Sequence, residues 1–172
     1  VDFPMTSFDD LIEKSREYVR RVKAAGAWGI KMSSYWCDYP FGGPDRKAAE
    51  GLYDDLVAGR IQKLHWLNPF FYYIIDQVAA EAEKQELVVA VHTGYWGDFR
   101  TFHPLYMIPF FIRYPDCRFD VYHLGYPFIR ESLMLGKGFA YVWLNFCWLH
   151  TISGHAYMEA FDEAIEILPT NK

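Results

Sequence analysis

V-V-A-V-H-T-G at residues 88–94 and R-F-D-V-Y-H-L-G at residues 118–125 decide the fold. Each is an apolar, β-branched run that stops at a histidine and reaches a glycine two residues later. A run of this length, bounded by turn residues, reads as a strand buried on both faces. Each histidine then sits at the C-terminal end of its strand, where the chain turns away. In parallel α/β proteins that rim is where ligands bind and chemistry occurs. Two imidazoles on neighbouring strand ends can converge on one cation, so a metal site is the leading expectation.

Working outward, strands and helices alternate. Ser7, with Asp10 three residues on, opens a helix in the manner of a capping box. That helix turns Leu11, Ile12, Val19 and Val22 to a core and stops near Gly26. Residues 27–33 (A-W-G-I-K-M-S) form a strand candidate. Residues 34–44 are a loop rich in aromatics, Pro and Gly. Asp45 opens a short helix over 45–57, and Asn68-Pro69 caps another that runs to about Gln85. After the first histidine strand (87–91) come a loop at 94–100 and a helix over 104–114. After the second (118–122) come a helix over 127–137, a strand over 140–146 and a helix over 152–168. The last turns Ala156, Ala160, Phe161, Ala164, Ile165 and Leu168 to one face and Glu159, Asp162, Glu163 and Glu166 away. This order implies parallel strands joined by right-handed crossovers. Four such βα units make half of an eight-fold barrel or a small open sheet.

The 172 residues fit a single domain, residues 1–172, with a real core. A hydrophobic share of 52% against 23% charged residues is that of a globular chain. Aromatics make up 19%, and many fall near the strand ends, either as a bulky core or as the walls of a pocket. The net charge of −5, with no basic run, argues against nucleic acid and anionic membranes. Cys37, Cys117 and Cys147 are odd in number and far apart, which excludes a disulfide framework or a zinc knuckle. With no basic-plus-apolar lead in residues 1–4, a reducing, cytoplasmic compartment is the expectation. Apolar runs fall well short of a membrane span. The chain opens on Val1 and closes just beyond a helix, so both ends read as cut.

Four segments in order, V-A-V-H-T-G (89–94), Y-P-D-C-R-F-D-V-Y-H-L-G-Y-P (114–127), A-Y-V-W-L-N-F-C-W-L-H (140–150) and I-E-I-L-P-T-N-K (165–172), resemble the amidohydrolase superfamily. Within it they are similar to the amidohydrolase-2 group related to aminocarboxymuconate-semialdehyde decarboxylase. The most specific part is H-L-G-Y-P at 123–127 after the P-D-C-R-F lead, and the likeness covers roughly residues 7–172. It implies an α/β chain that is a partial (β/α)₈ TIM barrel, aligned with strands four to seven. The family's first-strand H-x-H pair is absent, as is its eighth-strand Asp. The implied chemistry is hydrolysis of an amide, ester or lactone by a metal-activated water, the metal being zinc or alternatively manganese. Non-oxidative decarboxylation or hydration of an aromatic or muconate-like acid is the second possibility. The implied partners are a small-molecule substrate, the remaining half of the barrel and a homo-oligomeric copy. A catalytically inert half barrel, with open strand edges and an apolar face that self-associates, is the rival from another class.

The resemblance assigns His92 as a metal ligand and His123 as a ligand or as the group acting on the activated water. For both, the plainer alternative is a buried structural histidine. Lys31 falls in the strand where two-metal members carry a carbamylated lysine. A lysine between Ile30 and Met32 needs explanation anyway, because a lone buried ammonium is costly. It is otherwise a paired lysine at the barrel mouth. Tyr95, Trp96 and Arg100, on the loop after His92, are candidate substrate contacts, with Arg100 suited to a carboxylate. Asp98 and His103 share that loop. Trp143, Asn145 and Trp148 either line the mouth or pack the core. His65, His150 and His155 carry no expected role.

Overall fold

A computed structural model describes residues 6–33, 39–65 and 67–172; residues 34–38 of the expected loop, Cys37 among them, lie outside these. Four strands, β1 (Gly29–Met32), β2 (Val88–His92), β3 (Arg118–Tyr122) and β4 (Val142–Asn145), form one sheet in sequence order. All three pairings are parallel, with Lys31 opposite Ala90, Ala90 opposite Asp120 and Asp120 opposite Trp143. Helices α1 (Phe8–Ala24), α2 (Arg46–Val57) and α3 (Pro69–Lys84) precede β2; α4 (Ile108–Arg113) and α5 (Ile129–Gly138) supply the next two crossovers. Two helices, α6 (Leu149–Ile152) and α7 (Gly154–Ile167), follow β4. This is the βα architecture of a partial (β/α)₈ barrel.

The caps form where expected. Ser7 accepts from the Asp10 amide, Asp45 from Lys47 and Asn68 from Phe71, with Pro69 at the first turn of α3. One face of the sheet, built from Val89, Val91, Phe119, Val121 and Val142, is sealed by the helices. Phe110 and Phe111 of α4 drive this packing, with Phe111 4.8 Å from the Phe119 ring. Only that face is covered. β3 alternates rather than being buried on both sides: Phe119 and Val121 are fully buried, Asp120 and Tyr122 half-buried, Arg118 exposed. The second face therefore carries the chain's chemistry.

Three helix expectations need correction. Residues 99–107 form two 3₁₀ turns, Phe99–Phe102 and Pro104–Met107, before α4 begins. Pro104 and Pro109 cannot donate, so an α-helix starts only where Pro109 lies in its first turn. The helix expected from 127 begins at Ile129, after a tight turn at His123–Gly125. The last helix is broken at Ser153, whose extended backbone lets its hydroxyl cap Ala156. α7 buries only Ala160 and Ala164; Phe161 and Ile165, expected in the core, are 45% and 66% exposed. At α1, Phe8 joins Ile12 and Val19 in the core, whereas Leu11 and Val22 are half-buried.

Two polar clusters fasten the periphery. The buried Asp76 of α3 accepts from Tyr39 Oη at 2.6 Å and from Arg113 Nε at 2.6 Å, tying the segment after β1 to α3 and α4. At the N-terminal end of β4, Lys172 Nζ donates to the carbonyls of Phe139, Ala140 and Val142, while Trp143 Nε1 donates to Asn171.

Candidate functional site

The two H-x-G segments build the C-terminal rim of β2 and β3 against each other. Gly94 has φ +80, and a Cβ there would run into the Gly125 and Tyr126 carbonyl groups. Gly125 has φ +62, and a Cβ there would meet Ser132 Oγ. The glycines are thus required by close approach as well as by positive φ. Tyr95 N–H donates to Tyr126 C=O at 2.6 Å, and Thr93 Oγ1 donates to Tyr122 C=O at 2.9 Å. His123 and Leu124 also take positive φ, 66° and 46°. Non-glycine residues there cost of order 1–3 kcal/mol each and persist only where the surroundings hold them. Leu124, fully buried in the α5–α7 cluster, is one such anchor.

This turn brings the two imidazoles together. His92 and His123 lie at the same rim of adjacent parallel strands, with ring centroids 4.7 Å apart and His123 Nε2 3.1 Å from His92 Nδ1. His123 Nδ1 lies 2.9 Å from the Cys147 carbonyl, which can only accept, so Nδ1 carries the proton and Nε2 is bare in the neutral ring. If His92 Nδ1 donates to that bare nitrogen, His92 Nε2 is left as a buried acceptor. If both facing nitrogens are bare, His92 Nε2 is a buried donor. Either way His92 Nε2, buried and without a hydrogen-bond partner, is unmatched. Burial, then the neighbouring His123 and Lys31, pulls His92 down to about 4. Burial also lowers His123, partly opposed by its bond to Cys147 C=O. Both rings are therefore neutral near pH 7, the form that binds metal.

Ligand bonds of ~2.0–2.1 Å at a tetrahedral angle separate two nitrogens by about 3.3 Å. The observed 3.1 Å fits a shared cation, and the His123 Nδ1–H to carbonyl bond is the usual orienting contact of a metal-binding histidine. Among the described residues, no group of three or more His, Cys, Asp or Glu is arranged to hold a metal. A metal held by the imidazole pair would need further donors.

A cavity of about 600 Å³ opens over the pair, lined by Lys31, Trp96, Phe102, Tyr122, Trp148 and Cys147 among others. Lys31 reaches this rim with its ammonium 4.4 Å from the Tyr122 ring centroid. Although Lys31 is the exposed residue of β1, partial burial of the ammonium pulls it down to about 8, opposed by Cys147 and Asp120. Phe102 meets His92 edge-on at 5.0 Å, and Trp148 stacks on His123 at 5.5 Å. Trp96 borders His92 at 6.1 Å.

Of the expected loop contacts, only Trp96 lines the cavity. Tyr95 is 57% exposed outside it. Arg100 is held by two bonds to Asp98, both 2.7 Å, and does not line the cavity either. Two residues apart on the same turn, these opposite charges satisfy each other. His103 caps the Pro104–Met107 turn and packs on Phe128, 4.0 Å between rings. Trp148 lines the mouth, whereas Trp143 lies at the other end of β4 with Lys172. Asp120 and the Cys147 carbonyl carry no expectation from the sequence. A carboxylate inside R-F-D-V-Y was the available clue to the first; a backbone group leaves none.

The amidohydrolase family model matches residues 8–172. A comparison with curated proteins finds no significant match. Among solved structures, the chain is similar to a protein of Lactobacillus casei ATCC 334 named "putative metal-dependent hydrolase". The TM-score is 0.80 at 21% sequence identity over 95% of this chain, a likeness of fold. The chain spans 44% of that protein's length. With the family's match running over nearly all of the sequence, the chain belongs to the amidohydrolase family.

Proposed function

We propose that this chain carries part of the active site of a metal-dependent hydrolase acting on an amide, ester or lactone. His92 and His123 hold a divalent metal, zinc or alternatively manganese, and Lys31 stands beside it as a further ligand or as a cation for the substrate. The observation that carries this is the 3.1 Å approach of His123 Nε2 to His92 Nδ1, two neutral imidazoles at one strand rim. Family membership and the name of the Lactobacillus protein support it. A bound divalent metal supplies Lewis acidity and an activated water. The chain's own residues do the rest. The Cys147 carbonyl keeps His123 Nε2 bare and aimed at the rim. Alternatively, His123 Nε2 acts on the metal-activated water rather than on the metal itself. Phe102, Trp96 and Trp148 wall the site against bulk solvent.

Non-oxidative decarboxylation or hydration of an aromatic acid is a second reading. It is favoured by the aromatic walls and by Lys31, the one cation lining the cavity among the described residues. Arg100 is bonded to Asp98 and lies outside the cavity lining.

Equilibrium dialysis with Zn²⁺ and Mn²⁺ tests the metal site. Wild type should bind one of these more tightly than His92→Ala by at least ~10-fold, with a similar loss for His123→Ala. Equal binding by all three proteins would sink the proposal. Catalytic zinc sites usually use three protein ligands, so the 172-residue chain alone should bind weakly and show no measurable hydrolysis.

A further inference from the structure

Behind His123 runs a continuous chain of hydrogen bonds on the open face of the sheet. Asn145, the last residue of β4, donates from Nδ2 to Asp120 Oδ2 at 3.1 Å. Its Oδ1 accepts from the Cys147 amide at 2.8 Å. The Cys147 carbonyl accepts from His123 Nδ1 at 2.9 Å. An ionised carboxylate only accepts, so Asp120 fixes which way the Asn145 amide faces, and Oδ1 must point at the Cys147 N–H. That closes a two-residue side-chain turn which sets Cys147 just before Trp148, itself at φ 64. The placement of the carbonyl that orients His123 is thus defined by two side chains one strand apart. Nothing in the hydrolase proposal uses Asp120 or Asn145, although the half-buried pair borders the cavity through the Cys147 amide and the Asp120 carboxylate is attracted by Lys31.

We propose that Asp120 and Asn145 are positioning residues that hold His123 in its Nδ1–H form, with Nε2 free for the metal. This rests on the assignment of His123 to the metal site. Orienting groups of this kind are worth roughly 10–100-fold in metal affinity. The pair is directional: Asn145 Nδ2 must donate to Asp120, and Asn145 Oδ1 must accept from the Cys147 amide. Reversing it as Asp120→Asn with Asn145→Asp therefore preserves the pattern. The new amide donates to the new carboxylate, whose second oxygen still accepts from Cys147.

The experiment uses the full 172-residue chain without metal, followed by Co²⁺ titration. Nitrogen-15 NMR of the histidine rings reads the tautomer of His123 directly, and His123→Ala assigns its signals. In Asn145→Ala the Nδ1–H form should give way to a mixture of tautomers, and Co²⁺ affinity should fall roughly 10–100-fold. Asn145→Asp alone, which opposes two carboxylates, should fall likewise. The reversed double variant should return both readouts to within about threefold of wild type. Should Asn145→Ala fail to fold, the Asn145→Asp single and the reversed double decide the matter. An unchanged His123 tautomer in Asn145→Ala or Asn145→Asp would overturn the proposal, as would a double variant no better than Asn145→Asp. If His123→Ala leaves Co²⁺ binding intact, the metal assignment fails instead, while the tautomer measurement still judges the role of the pair.

Discussion

Gly94 and Gly125 carry more of the site than their size implies. Each follows its histidine by two residues, and each lies where the loops after β2 and β3 press together. Alanine at Gly125 must adopt φ +62 and displace Ser132 Oγ. A left-handed alanine alone costs about 1–2 kcal/mol, so Gly125→Ala should destabilise by roughly 2–3 kcal/mol, read as a lower urea midpoint at unchanged slope. Gly94→Ala, which meets backbone on two sides, should cost at least as much. The histidine–glycine spacing was visible in the sequence because special backbone angles restrict residue type. The roles of Tyr95 and Arg100 were not. A charged side chain on a loop takes a nearby partner, and Arg100 is bonded to Asp98, two residues before it. Lys31 shows the middle case: its place among apolar neighbours flagged it, but only the structure puts its ammonium over Tyr122.

Strands and caps were readable because period and cap chemistry are local. β3 was placed to the residue, and β1, β2 and β4 lie within or beside their expected spans. The misplaced pieces, the 3₁₀ turns before α4 and the break before α7, depend on proline and serine competing with helix propensity inside one short segment. Two predictions follow at this level. Asp76→Ala removes the acceptor shared by Tyr39 and Arg113 and leaves a guanidinium facing an apolar neighbourhood. Breaking a buried pair costs about 3–5 kcal/mol; because the Arg113 side chain remains 37% exposed, the lower end is expected, as a drop in chemical-denaturation stability. Lys172→Met strips the donor from three carbonyls before and within β4. A loss of about 1–2 kcal/mol is expected, with hydrogen exchange at the start of β4 rising more than at β2.

Among the described residues β1 pairs only with β2 and β4 only with β3, so both outer strands present backbone groups not paired to another strand. Exposed edges invite pairing with other chains. Sedimentation velocity of the 172-residue chain should therefore show association that grows with concentration. A strictly monomeric species up to ~100 μM would argue that side chains or loops already shield these edges. The fold's likeness to 44% of the Lactobacillus protein was legible as four βα units, since alternation of strand and helix is a long-range pattern written in short-range periods.

One contact at the rim carries a further consequence. The loops after β2 and β3 are locked by the Tyr95 amide on the Tyr126 carbonyl, and His123 is set by the Cys147 carbonyl. The ordering entropy of the cup is met during folding, before any ion arrives. If His92 and His123 hold a metal as proposed, its loading has nothing to rearrange in these two loops, and a chelator would take away the ion without taking away their shape. Removal of metal should lower the melting temperature only by the mass-action amount set by concentration and affinity. The amides of residues 93–95 and 123–126 should stay as protected from exchange in the empty chain as in the loaded one.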